Sequence, residues 1–140
     1  MNVLTGALGL LMASPRHKHL FLSDLEWALL PPLALRQFRL FAKDNRPVAF
    51  ATWAFVSEEV EARLNAGHAK LKPAEWKSGE RCWIVDVVTP FGGGDGILKT
   101  LRETVLGKED VRVLPHASQS REQKAGAAGV RVDAMTSNTE

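Results

Sequence analysis

Residues 81–88, which read RCWIVDVV, constrain the fold more than any other stretch of the chain. The run is short, apolar and rich in β-branched and aromatic side chains, which is typical of a strand inside a sheet. Asp86 interrupts it, and an ionised carboxylate in such a place needs an ion-pair or hydrogen-bond partner. The sequence therefore predicts a buried central strand that carries one acidic side chain.

Two short helices are predicted before the sheet begins. Apolar residues recur at helical spacing over 2–13, and the helix should end just before Pro15. Ser23 and Glu26 have the spacing of a capping box, and the prolines at 31–32 would close the second helix.

A hairpin and two further helices complete the pattern. Residues 37–54 predict an antiparallel hairpin that turns at 43–47, and Ser57 is placed to cap the helix that follows. An amphipathic helix is predicted from Ile97, and a last strand at 111–114. This order predicts an α+β fold, with a mostly antiparallel central sheet flanked by helices.

Composition limits the partners and the compartment. The charges nearly balance, at 18 basic and 16 acidic side chains, so the chain lacks the basic excess of a nucleic-acid binder. No apolar run approaches the ~18 residues of a membrane span. Cys82, the single cysteine, cannot form an internal disulfide, and the first residues lack the Lys or Arg of a secretory signal. We therefore expect a cytoplasmic protein.

Composition also changes along the chain. Beyond Pro115 it is rich in Ser, Ala, Gly, Gln and charge, with few large apolar side chains. We predict one domain over residues 1–115 and a polar, mobile tail over 116–140, except for a short strand pairing near Val130.

Two residues are candidates for catalysis. His17 lies in a loop between Arg16 and Lys18, and repulsion from these cations favours the neutral imidazole, which can accept a proton. Asp86 is the acid in the predicted central strand. Each has an alternative: His17 could belong to an exposed basic loop, and Asp86 could form a structural ion pair with Arg81.

Three other features are weaker indications of a site. His17 and His19 stand two apart, but there is no further ligand cluster, so we expect no metal. Cys82 lies among apolar strand residues and fits an inert thiol better than a nucleophile. The glycine loop at 92–96 could bind a phosphate with its backbone N–H groups or could simply turn the chain.

Several motifs, in order, resemble the RTX toxin-activating lysine acyltransferases, over roughly residues 8–115. The motifs are Leu8-Gly9, Ala13-Ser14-Pro15-x-His17, Asp44-Asn45-x-Pro47-Val48-Ala49-x-x-x-Trp53-Ala54, Trp76-x-Ser78-Gly79-x-Arg81-x-Trp83-Ile84-x-Asp86 and Pro90-Phe91-Gly92. Together, separated motifs in the right order are far more specific than any one of them.

The resemblance implies a GNAT-like single domain and a protein-lysine fatty acyltransferase. Such an enzyme moves an acyl chain from acyl-acyl carrier protein to internal lysine ε-amines of an RTX protoxin. The family's catalytic pair falls on His17 and Asp86. The resemblance also implies a homodimer with no bound cofactor, the acyl-acyl carrier protein being the donor substrate.

The resemblance extends to substrate-binding residues. Phe50, Trp53 and Trp83 are expected to line an apolar groove for the acyl chain, and Gly92 to contribute to the substrate site. Ser14 could donate a hydrogen bond to the reaction's oxyanion or could only position its loop. The alternative function is a non-catalytic GNAT-like module that binds carrier protein or protoxin.

Overall fold

A sheet of five strands, in the order β4-β3-β2-β1-β5, forms the centre of the molecule. The computed structural model describes residues 2–68, 70–107, 110–118 and 133–135. The strands are β1 Phe38–Lys43, β2 Arg46–Val56, β3 Arg81–Val88, β4 Arg112–Val113 and β5 Asp133–Met135. Neighbouring strands are antiparallel except for β3 and β4, which are parallel. The predicted α+β fold with a mostly antiparallel sheet is confirmed.

Helices precede, interrupt and follow the strands. They are α1 Val3–Ala13, α2 Leu25–Ala28, α3 Leu30–Leu35, α4 Glu58–Asn65, α5 Gly94–Thr100 and α6 Pro115–Ser118. Single turns of 3₁₀ helix cover Leu22–Asp24 and Pro73–Glu75, and a π-helical turn, Leu101–Leu106, continues α5. Within the described parts of the chain, no helix is both long enough and apolar enough to span a bilayer.

The second predicted helix has different ends from those expected. The cap is formed by the Asp24 carboxylate, which accepts the backbone N–H of Phe21, so the expected capping box of Ser23 and Glu26 is wrong. The prolines at 31–32 lie in the first turn of α3 instead of closing a helix. Proline is tolerated there because first-turn N–H groups have no helical acceptor.

The hairpin and the helix after it follow from local signals that the sequence carries. Asp44 and Asn45, with φ of 52° and 62°, make the tight turn between β1 and β2. The side chain of Ser57 accepts the backbone N–H of Val60 and so caps α4. Both elements are confirmed.

The two faces of the sheet pack against different helices. On one face, Ala51, Trp53 and Ile84 pack against Ile97 and Leu98 of α5. On the other face, residues of β1, β2 and β3 pack against α1, with Phe50 among them. The site described below lies on this second face, which we call the α1 face.

The predicted tail lies mostly outside the described residues. This holds for the pairing expected near Val130, although the strand that follows it, β5, pairs with β1. The division at residue 115 stays a prediction.

Candidate functional site

A β-bulge in β3 places the acidic side chain on the α1 face. Thr52 pairs with Asp86 and Trp53 pairs with Ile84, so Val85 is the extra residue of β3. Strict alternation would put Asp86 on the face of Ile84, which α5 covers. The bulge lets Val85 and Asp86 line the same cavity on the α1 face.

The loop after α1 brings the imidazole to that carboxylate. Backbone N–H groups of His17 and Lys18 both bond to the carbonyl of Ser14, at 3.0 and 2.9 Å, so the loop forms a compact turn. The imidazole is 7% exposed, and its Nε2 lies 2.7 Å from Oδ2 of Asp86. The structure thus brings together the two residues that the sequence selects as a catalytic pair.

Both ring nitrogens of His17 have a partner. Nδ1 lies 2.6 Å from Oγ of Ser14, which is fully buried behind the ring. Asp86 also accepts the backbone N–H of Val87 and a hydrogen bond from the guanidinium of Arg16. Both donors favour the ionised carboxylate. An ionised Asp86 assigns the shared proton to Nε2, and Nδ1 then accepts the Ser14 hydroxyl proton.

Arg16 supplies a further contact of the carboxylate. Its Nη2 donates to Oδ1 of Asp86 at 3.2 Å and to the carbonyl of Val87 at 3.1 Å. The expected alternative partner, Arg81, instead pairs with Glu61 and Glu58. Arg16 and His17 therefore bind the two oxygens of the same carboxylate, so Arg16 helps to hold Asp86 in place beside the imidazole.

A cavity of about 270 Å³ opens beside the pair. Arg16, His17, Thr52 and Asp86 form its polar part, and the ammonium of Lys70 lies 4.8 Å from the centre of the Trp27 ring. The other lining residues are apolar: Leu11, Leu20, Trp27, Ala28, Leu29, Phe50, Leu71, Trp76, Val85 and Val88. The arrangement suits a ligand with one reactive polar end and a long apolar part.

Of the three residues predicted to line the acyl groove, one lines this cavity and two do not. Phe50 lines the cavity, but Trp53 faces α5 from the other side of the sheet. Trp83 packs against α4, where its indole N–H donates to Glu61 at 2.9 Å. That hydrogen bond lowers the pKa of Glu61, and the Arg81 guanidinium lowers it further. Neither tryptophan lines this cavity: Trp53 faces the opposite side of the sheet, whereas Trp83 shares a cluster with Val85 but lies farther along β3, against α4. Their part in substrate binding stays a prediction.

Two other predicted substrate residues also lie off the described cavity lining. Ser14 is buried with its hydroxyl against the imidazole and does not line the cavity, which favours positioning of the ring over contact with an oxyanion. Gly92, with φ of 89°, donates its N–H to the carbonyl of Thr89 in the turn after β3. The glycine loop there turns the chain into the short helix α5, and Gly92 is not among the residues that line the cavity. Its part in substrate binding stays a prediction.

Sequence reasoning missed several lining residues. Trp76 belongs to a quoted motif, and that could have drawn attention to it. Trp27, Thr52 and Leu71 have no such signal, since their place on the cavity depends on contacts far apart in sequence. Among the side chains described, no three His, Cys, Asp or Glu residues lie close enough together to hold a metal ion.

Comparison with known proteins identifies the class of protein to which this arrangement belongs. Residues 1–128 match the model of the RTX toxin acyltransferase family. The chain is 33% identical over 106 residues to the lysine-acyltransferase RtxC of Vibrio cholerae serotype O1, covering 75% of this chain and 69% of that protein.

Two further relatives are also named as lysine acyltransferases or myristoyltransferases. The RTX-II toxin-activating lysine-acyltransferase ApxIIC of Actinobacillus pleuropneumoniae is 33% identical over 73% of this chain and 64% of its own length. The protein-lysine myristoyltransferase HlyC of Escherichia coli is 33% identical over 65% of this chain, which spans about half, 52%, of the relative. The chain belongs to the RTX toxin acyltransferase family.

Proposed function

We propose that this protein transfers a fatty acyl group from acyl-acyl carrier protein to lysine ε-amines of an RTX protoxin. The observation that carries the proposal is the 2.7 Å contact between His17 and Asp86 at the polar part of an apolar cavity. Family membership supports the reaction class, since the relatives are named lysine acyltransferases and toxin activators. Acyl carrier protein as donor rests on the resemblance alone.

Proton removal from the incoming lysine is the first task of the site. The ε-ammonium is not nucleophilic until it loses a proton, and the His17–Asp86 pair is the acceptor. A proton added to the pair makes an imidazolium. Both of its N–H groups then have an acceptor, Asp86 Oδ2 at Nε2 and Ser14 Oγ at Nδ1. The charge is also balanced, because the carboxylate is ionised.

Acyl transfer follows at the thioester. The neutral amine attacks the thioester carbonyl carbon, a tetrahedral oxyanion forms, and the C–S bond breaks as the amide forms. The imidazolium gives the first proton to the departing thiolate. The neutral imidazole that results accepts the second proton from the attacking nitrogen and later releases it to water, so the products are an amide, a free thiol and one proton.

The apolar part of the cavity holds the acyl chain in this proposal. Leu11, Phe50 and Val88 line it close to the sheet, and Trp27 and Trp76 enclose it from the other elements. Each methylene that leaves water contributes about 0.8 kcal/mol to binding. The binding energy of the acyl chain can therefore hold the thioester beside the catalytic pair.

The direct test is a transfer assay. The protein is incubated with acyl-acyl carrier protein and an RTX protoxin, and acylated lysines are identified by mass spectrometry. We expect His17→Ala to lower the rate about 10²–10⁴-fold, the range for loss of a general base. His17→Gln, which keeps hydrogen-bonding capacity, serves as a folding control and should be equally inactive.

Two outcomes would contradict the proposal. Equal modification by the wild type and His17→Ala removes His17 from the mechanism. Binding of carrier protein or protoxin without any acylation favours the non-catalytic module. The homodimer and the GNAT-like relationship stay predictions from the resemblance, and the cytoplasmic location stays a prediction from the composition.

A further inference from the structure

Thr52 presents to the cavity a polar atom that has no partner among the described residues. The residue lies near the middle of β2 and is only 2% exposed. Its side chain lines the cavity beside Phe50 and Asp86. Within the described parts of the chain, its Oγ1 makes no hydrogen bond.

A buried hydroxyl without a partner is unfavourable and therefore needs an explanation. Nearly all buried side-chain polar atoms in folded proteins are hydrogen-bonded, and an exception calls for a specific explanation, such as a catalytic role or a partner from outside the chain. Valine would fill the same volume of the strand with no unpaired polar atom. The hydroxyl of Thr52 therefore fits a partner that enters the cavity.

The position of Thr52 defines which part of the substrate it can reach. Thr52 is the ladder partner of Asp86, and both side chains lie on the cavity side of the sheet. The Cβ atoms of directly paired residues in antiparallel strands lie about 4.5–5.5 Å apart. An amine that has given its proton to the His17–Asp86 pair would attack a carbonyl carbon within this space. The carbonyl oxygen is then within reach of the Thr52 hydroxyl.

We propose that the Thr52 hydroxyl donates a hydrogen bond to the carbonyl oxygen of the acyl thioester and stabilises the oxyanion that forms there. This inference rests on the proposed acyl transfer and adds a catalytic residue to it. The hydrogen bond strengthens as negative charge develops on the oxygen, so it lowers the barrier more than it tightens binding of the thioester. It takes the role that Ser14, bound to His17, does not fill.

Thr52→Val and Thr52→Ser make a matched pair for the test. The valine variant removes the hydroxyl at nearly constant volume, and the serine variant keeps the hydroxyl. Thr89→Val is the control. Thr89 is also buried with an Oγ1 that has no partner within the described residues, but it does not line the cavity. Acyl transfer is measured as kcat and KM, and folding by thermal unfolding.

We expect Thr52→Val to lower kcat about 10²-fold, the effect of losing one oxyanion donor, with little change in KM. Its Tm should not fall, because an unpaired hydroxyl has been removed. Thr52→Ser should stay within a few-fold of the wild type, and Thr89→Val should keep the wild-type kcat.

A Thr52→Val variant with the wild-type kcat would overturn the inference. So would a Thr52→Ser variant that loses as much activity as Thr52→Val. These results differ from failure of the proposed function, in which the wild type and every variant transfer no acyl group and both proposals fall.

Discussion

Arg16 and His17 are neighbours in the loop, yet they bind different oxygens of one carboxylate. Arg16 holds Oδ1 of Asp86 and the carbonyl of Val87, and His17 contacts Oδ2. The guanidinium therefore holds Asp86 to the loop. The negative charge of the carboxylate is shared between this guanidinium and a protonated His17. The only other charged side chain on the described cavity lining is Lys70.

Replacing Arg16 by Met should lower the rate of acyl transfer. Oδ1 of Asp86 then loses the donor that holds the carboxylate to the loop, so we expect kcat to fall about 10²-fold, the cost of a small misplacement of a catalytic group. Arg16→Lys keeps a charged donor and should retain more of the wild-type kcat than Arg16→Met. An Arg16→Met variant that folds and has the wild-type kcat would contradict the prediction.

Ser14 should act on the rate and not on substrate binding. Its Oγ lies 2.6 Å from Nδ1 of His17, and Ser14→Ala would leave that nitrogen without its buried partner. We expect kcat to fall about tenfold with KM unchanged, less than the ~10²–10⁴-fold effect of losing the general base itself, because Ser14 only positions that base. Ser57→Ala is the control: it removes the cap of α4, which should cost about 1 kcal/mol in urea unfolding and leave kcat unchanged. A loss of kcat in both variants would indicate a general effect on folding.

At the scale of the elements, local sequence signals predict much of the fold. The cap at Ser57 and the turn at Asp44-Asn45 act within a few residues, so their outcome can be read from the chain. The bulge at Val85 cannot, because it depends on the register between two strands. Period-two alternation predicts the wrong face for Asp86, and only the resemblance pairs it with His17.

The turn that carries Trp76 into the cavity wall depends on an ion pair. Glu75, just before Trp76, binds Arg63 of α4 through both carboxylate oxygens, at 2.8 and 2.6 Å. The pKa of Glu75 is lowered from 4.5 to about 2, mainly by the Arg63 hydrogen bonds and also by the backbone N–H of Lys72, while burial acts in the opposite direction. This pair therefore fixes the turn to α4 only while Glu75 is ionised.

Glu75 should make stability depend on pH. A lowered pKa means that the ionised form stabilises the folded state, so the contribution is present above about pH 4.5 and is lost as the pH falls towards about 2. With screening of the partly exposed Arg63, we expect Glu75→Gln to cost about 1–2 kcal/mol at pH 7. Urea unfolding at pH 7 and at pH 2 measures the difference in the free energy of unfolding between Glu75→Gln and the wild type. A difference that is the same at pH 7 and pH 2 would contradict the linkage.

At the scale of the whole molecule, the two faces of the sheet differ: one carries an apolar core and the other carries the candidate site. One face packs against α5 and contains Trp53 and Ile84 in a closed apolar cluster. The α1 face leaves a cavity beside the catalytic pair. An acyl chain can therefore bind without opening the cluster under α5, so binding should stabilise the folded protein as a unit.

This stabilisation should depend on acyl-chain length and on the free volume of the cavity. S-acyl pantetheines of increasing length should raise Tm progressively, because each buried methylene adds about fourfold in affinity until the cavity is full. Val85→Phe, which places a ring in the cavity, should abolish the rise for the longer chains. Val113→Phe, on the α5 face of the sheet, is the matched control and should keep it, even if overpacking lowers its own Tm. A rise in Tm that is equal in the two variants would place the acyl chain outside this cavity.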